Sequence, residues 1–112
     1  MKQSPDKIRN WFDRHRQKEL QIRKEENGDR DVSTITLEDV EFVQHHDVDG
    51  YLPSQAVVLK GEGTVLAADG KKPLPGGTYE IALTDQWFSA ADERSLHLST
   101  ERGTYLIEVI DG

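Results

Sequence analysis

His45, His46, Asp47 and Asp49 stand within five positions of one another. Imidazole and carboxylate together make a ligand set for zinc, manganese or iron, and two adjacent histidines on an irregular loop can reach one ion. A catalytic metal needs a third protein ligand. His97 is the remaining candidate in this part of the chain, but it is out of phase with Leu96 and Leu98 and so turns away from the core. Adjacent histidines in an extended segment also point to opposite faces. The expectation is a solvated acidic loop with no metal and no other cofactor. A metal-dependent enzyme built on the His45–Asp49 loop is kept as an alternative.

Two further groups could do chemistry. Glu62, Glu80 and Glu108 each take the polar side of a predicted strand. A close pair of carboxylates can serve as acid and base, but left apart they form the ordinary charged exterior of a sheet, which is the expectation here. Trp87 and Phe88 are adjacent, so in an extended chain only one can enter the core and the other faces a cleft or an interface. With Tyr51 and Tyr79 they would line the pocket of a small-ligand-binding barrel, a second alternative whose site residues are Tyr51, Trp87 and Phe88. Walker, dinucleotide, HExxH, GxSxG and complete EF-hand signatures are all missing. Gly61-Glu62-Gly63 resembles only the start of a nucleotide loop and leads into β-branched residues. No residue is assigned a catalytic role, and the chain is read as a non-enzyme.

Composition narrows the partners. The 112 residues contain 31% charged and 35% hydrophobic residues, no cysteine, and a formal net charge of -7. Disulfides, thiolate chemistry and cysteine-based metal sites are therefore excluded. Residues 1–26 carry eight Lys/Arg against five acids, while residues 27–112 carry six against sixteen. A body this acidic repels phosphate backbones, so nucleic acid is not expected as a partner. No apolar run approaches the ~18–20 residues that cross a bilayer. Nor has MKQSPDKIRNWF the apolar core of a signal peptide. The expectation is a cytoplasmic protein without membrane contact.

The elements that position these residues follow from spacing. Ser4-Pro5-Asp6 has helix-opening chemistry. Ile8, Trp11, Phe12, His15, Glu19 and Ile22 recur at helical intervals, with Leu20 off the stripe. Asn27-Gly28 suits a helix stop. This reading makes residues 1–27 an N-terminal amphipathic helix, running over 5–26, and residues 28–112 a β domain. The helix either lies as a lid on the β domain or docks on a protein partner or a second copy. Its contact residues would then be Ile8, Trp11, Phe12, His15, Arg16 and Arg23.

From Val32 onward the period is two. Ile35 and Leu37 share one parity and Val40 and Phe42 the other, so a bulge is expected at Glu38-Asp39. Val57, Leu59, Val65 and Ala67 alternate inward, with Gly61 and Gly63 on the same face leaving room for a large side chain or letting the strand bend sharply. A long turn over 69–77 precedes a strand over Thr78–Leu83. The stretch 84–94 reads better as extended than as helical. Ser95–Thr100 and Thr104–Ile110 form a hairpin around Gly103. The sum is a mainly β, α+β protein: a small antiparallel β-sandwich or barrel of five to seven strands with one helix. Its expected function is that of a cytoplasmic protein-interaction or adaptor module working through the helix.

Overall fold

Asn27 and Gly28 both take left-handed φ, 51° and 86°. Together they turn one strand, β1 (Glu19–Glu26), back onto another, β2 (Asp29–His45). The computed structural model describes residues 6–45, 54–67, 70–83 and 86–110. Asn-Gly between paired strands is the chemistry of a type I′ hairpin, whose twist matches that of its strands. The helix expected over 5–26 is thus two elements: α1 spans Asp6–Asp13 only, and residues 19–26 are strand. The physical reason is that Leu20 and Ile22 alternate inward at period two while Gln21 and Arg23 face out.

Six further strands follow: β3 (Ser54–Ala67), β4 (Gly70–Pro73), β5 (Thr78–Leu83), β6 (Phe88–Ala91), β7 (Ser95–Ser99) and β8 (Thr104–Val109). With β1 and β2 they make one antiparallel sheet in the order β4-β3-β2-β1-β8-β7-β6, with β5 also paired to β3. Neighbours in the sheet are mostly neighbours in sequence. The exceptions are β5, which pairs with β3, and β8, which returns to pair with β1 and places Ile107 opposite Ile22. One face of this sheet is buried: Leu20, Ile22, Ile35, Leu59, Ile81, Leu98 and Ile107 have no exposed area. A single sheet with one short helix to cover it buries a face in this way by curling around it. The result is a barrel-like roll whose interior is filled by side chains.

The bulge falls where the phase change predicts it, with the β2–β3 register shifting between Leu37 and Asp39. A Cβ on Gly63 would overlap the Thr34 carbonyl oxygen and press on Leu74 Cδ1 at 2.9 Å. The large side chain expected beside the glycines is therefore Leu74. Part of the long turn is ordered as β4, which pairs with residues 64–67, followed by a 3-10 turn at Pro75–Gly77.

The helix closes one end of the roll. Ile8, Trp11 and Phe12 are fully buried, and the Trp11 and Phe12 rings meet edge to face at 5.3 Å. Immediately after α1 the chain joins β2 at its bulge: the Gln17 amide donates to the Leu37 carbonyl (2.7 Å) and the Leu37 amide to the Lys18 carbonyl (3.0 Å). Among the described residues no helix is long and apolar enough to cross a membrane.

Candidate functional site

The residues expected to meet a partner divide between the inside of the roll and its surface. Ile8, Trp11 and Phe12 form the plug just described, and their apolar side is turned into their own barrel. The Trp11 indole N–H donates to the Asp92 carbonyl at 2.8 Å. His15 stacks against Trp11 at 4.2 Å. Its Nδ1 lies 2.6 Å from the Trp11 carbonyl and its Nε2 2.8 Å from that of Glu93. Helix and β6–β7 turn are thereby latched together. That turn has its own organiser, since the Asp92 carboxylate accepts from the Arg94 amide, the Ser95 amide and the Ser95 hydroxyl. These hydrogen bonds, backbone ones first, hold the Asp92 carboxyl below its usual range.

Arg16 is spent on the bulge. Its guanidinium pairs with Asp13 at 2.9 Å and Asp39 at 3.0 Å, and Nη1 reaches the Glu38 carbonyl at 3.5 Å. The Asp13 hydrogen bond is the first cause of a raised Arg16 pKa, so the charge is fixed.

Arg23, expected on the helix, stands instead on the outer face of β1. Register places it in a cross-strand row, Ala90–His97–Leu106–Arg23–Val32, that crosses five strands of the wall. Leu106 and Val32 are half-buried and Arg23 is exposed. One step further along the β2–β3 register lies Leu66, which is 52% exposed. At the other end of this face is Phe88, 59% exposed on β6. Its neighbour Trp87 packs half-buried against the core. The two adjacent aromatics thus separate as their alternation requires, one inward and one outward. Tyr51 lies outside the described residues.

The ligand-type residues are not gathered into a site. His45 ends β2, and His46, Asp47 and Asp49 lie outside the described residues. His97 is exposed, beside Ala90 and Leu106. Among the described residues no three His, Cys, Asp or Glu side chains are grouped to hold a metal. Glu62 faces Thr36, Glu80 faces Val58 and Glu108 faces Gln21. The three carboxylates therefore do not meet.

A polar row that spacing did not single out lines the end of the roll opposite the helix. Asp31, Lys24 and Tyr105 are cross-strand partners at the inward parity of Ile22 and Ile107. Lys24 Nζ is 3.2 Å from Glu26 Oε2 and 5.9 Å from the centre of the Tyr105 ring. Burial, then the nearby Tyr105 and Asp31, pushes the half-buried Tyr79 phenol well above its ordinary pKa. The missed signal was Lys24 itself, in phase with Leu20 and Ile22 once 19–26 is read as a strand.

Comparison with known proteins gives a family and no activity. The model of the family described as YmzB-like protein matches residues 1–111. A relative from Bacillus subtilis (strain 168), "Uncharacterized protein YmzB", is 31% identical over 105 residues, covering 88% of this chain and 89% of its own length. No solved structure matches the chain. The chain belongs to the YmzB-like family.

Proposed function

We propose that this YmzB-like protein is a small cytoplasmic, non-enzymatic interaction module that meets a protein partner through the wall of its barrel, at β6. The observation that carries this reading is Phe88, a large aromatic more than half exposed on a strand that ends the sheet. The outer row through Leu106, Arg23 and Val32 extends the same face with apolar area around one guanidinium, a combination favoured at protein interfaces.

This moves the contact from the helix to the wall, for an energetic reason. Docking through Ile8, Trp11 and Phe12 would first require withdrawing all three from the core. At ~1.5–3 kcal/mol per large side chain the cost is about 5–9 kcal/mol, comparable with the whole stability of a small domain, ~5–15 kcal/mol. A partner reached through the wall carries no such cost. The helix contributes indirectly by latching the Asp92 turn that ends β6.

A second reading, a small-ligand-binding barrel, draws on the inward row of Asp31, Lys24 and Tyr105 beside Tyr79. Native mass spectrometry of gently purified protein separates the two. A retained small molecule that is lost in Lys24→Ala would favour the second. For the first, chemical crosslinking in the source cell is compared between wild type and Phe88→Ser. Loss of crosslinked partners at an unchanged melting temperature is the expected result. An identical partner set in both proteins would overturn the wall as the contact.

A further inference from the structure

Both ring nitrogens of His15 face carbonyl oxygens, Nδ1 that of Trp11 at 2.6 Å and Nε2 that of Glu93 at 2.8 Å. A carbonyl oxygen only accepts. A neutral imidazole has one N–H and one lone pair, so it satisfies one of these contacts and sets its lone pair against the other oxygen. The imidazolium has two N–H groups and satisfies both. Two further features favour the charged ring. α1 ends at Asp13, and the Trp11 carbonyl is among its last four, where the helix dipole is negative. The His15 amide donates to the Phe12 carbonyl at 2.9 Å, and the Trp11 carbonyl meets the ring instead. The ring also stacks on the Trp11 indole, centres 4.2 Å and planes 31° apart, and an aromatic face attracts a cation.

The charged side chains around the ring nearly balance. Asp13, Arg14, Arg16 and Lys18 lie on α1 and the segment after it, Glu38 and Asp39 on the β2 bulge, and Asp92, Glu93 and Arg94 on the β6–β7 turn. Asp13 and Asp39 pair with Arg16, and the Asp92 carboxylate accepts from the Arg94 and Ser95 amides. Arg94 reaches the Val109 carbonyl at 3.1 Å. The two carbonyls at the ring therefore decide. The geometry points to His15 as a proton-operated latch that holds the α1 plug on the β6–β7 turn, closed with the ring doubly protonated and half released when it is neutral. The Trp11 indole N–H holds the neighbouring Asp92 carbonyl at 2.8 Å whatever the pH. Two consecutive carbonyls of the turn are thus held, one by a fixed donor and one by a titrating donor. Both contacts exist only in the folded chain, so the proton stabilises the folded state over the unfolded one. That contribution is full in acid and is lost as pH rises through the imidazole range, about pH 6–8. Above it the helix is tied to the turn at one point fewer, and Ile8, Trp11 and Phe12 leave the end of the roll more often. This device is independent of the wall contact.

The test uses the full isotope-labelled chain as wild type, His15→Gln and His97→Gln. At about pH 5.5, where imidazole is charged, ring-nitrogen NMR spectra should show two sharp N–H protons on His15. Those of the exposed His97 should be broadened by exchange with water. Hydrogen exchange of the Trp11 indole N–H, corrected for its intrinsic rate, reads opening of the plug. In wild type, opening is expected to rise about tenfold or more between about pH 5.5 and pH 8, as one charge-assisted hydrogen bond is lost. His15→Gln has a donor but no titration and should change less than about twofold. His97→Gln should keep the wild-type rise. The same rise in His15→Gln, or none in wild type, would overturn the latch. A single sharp ring proton on His15 would also overturn it, because one carbonyl contact would then be missing. Should His15→Gln fail to fold, the ring protons and the wild-type pH series still decide.

Discussion

Leu59 and Ile107 lie on β3 and β8, strands that β2 and β1 separate, and both are fully buried. Each should cost about 2–4 kcal/mol when cut to alanine, the transfer loss plus a cavity that a filled roll closes poorly. Denaturant midpoints check this, and unchanged midpoints would mean the inward faces are misassigned. Their burial was legible in the alternation of their strands, as was that of Val57, Ile81, Leu96, Leu98 and Val109. Val65 is only half-buried. It lies near the polar end, where Lys24 and Tyr105 occupy inward positions. Tyr105 was legible, at the parity of Ile107 and Val109; Lys24 was not, because its inward parity depends on residues 19–26 being strand and not helix. Tyr79 gives this end a pH signature. Its pKa is raised in the folded state, so its contribution is fully present below the ordinary phenol value of ~10 and is lost as pH rises above it. Tyr105 is shifted the same way, burial first. Urea midpoints should fall between pH 9 and pH 11, and Tyr79→Phe should flatten that fall. An equally steep fall in the variant would place the alkaline sensitivity elsewhere.

The element that sequence reading placed least well is the N-terminal helix, and the error has a physical origin. Ile8, Trp11, Phe12, His15 and Ile22 do fall at helical intervals, but the last coincides with a period-two run in Leu20 and Ile22. Asn27-Gly28 stops a helix and turns a hairpin equally well, since both need positive φ. The hairpin wins because β1 has β2 and β8 to pair with on its two sides. Removing residues 1–27 therefore does not separate a helix from an independent β domain; it takes out a central strand. That truncation is expected to be unfolded by circular dichroism and NMR. A cut after Gln17, which spares β1, should leave a sheet of reduced cooperativity. Point changes in α1 grade the effect. Trp11→Ala should cost about 3–5 kcal/mol. Trp11→Phe keeps most of the packing but strands the Asp92 carbonyl, and should cost about 1–3 kcal/mol. If Trp11→Phe proves neutral in thermal melts, the latch to the β6–β7 turn adds no stability.

At the scale of the whole molecule, one long-range pairing joins the two halves of the sheet. β1 and β8 lie near opposite ends of the sequence, yet residues 20–25 pair with 104–109, and the Ile110 amide continues the seam to the Glu19 carbonyl at 2.9 Å. Hairpins β1–β2, β2–β3 and β7–β8 can each form locally, whereas β1–β8 must close a loop of most of the chain before it gains anything. Opening should therefore be graded across the sheet. β1, β2 and β8 are flanked on both sides and carry Ile22, Ile35 and Ile107 at full burial, so their amides exchange only when the molecule unfolds as a whole. β4 and β6 end the sheet and bury little, so they open locally at far smaller free energy. Native-state hydrogen exchange measures this directly. Protection at Ile22 and Ile107 should track the global unfolding free energy in denaturant, while protection at Ala90 and Lys71 should be weak and nearly independent of it. Uniform protection across all strands would mean that the edges are covered in solution. Protection of β6 alone would mean that this edge is occupied in the isolated protein.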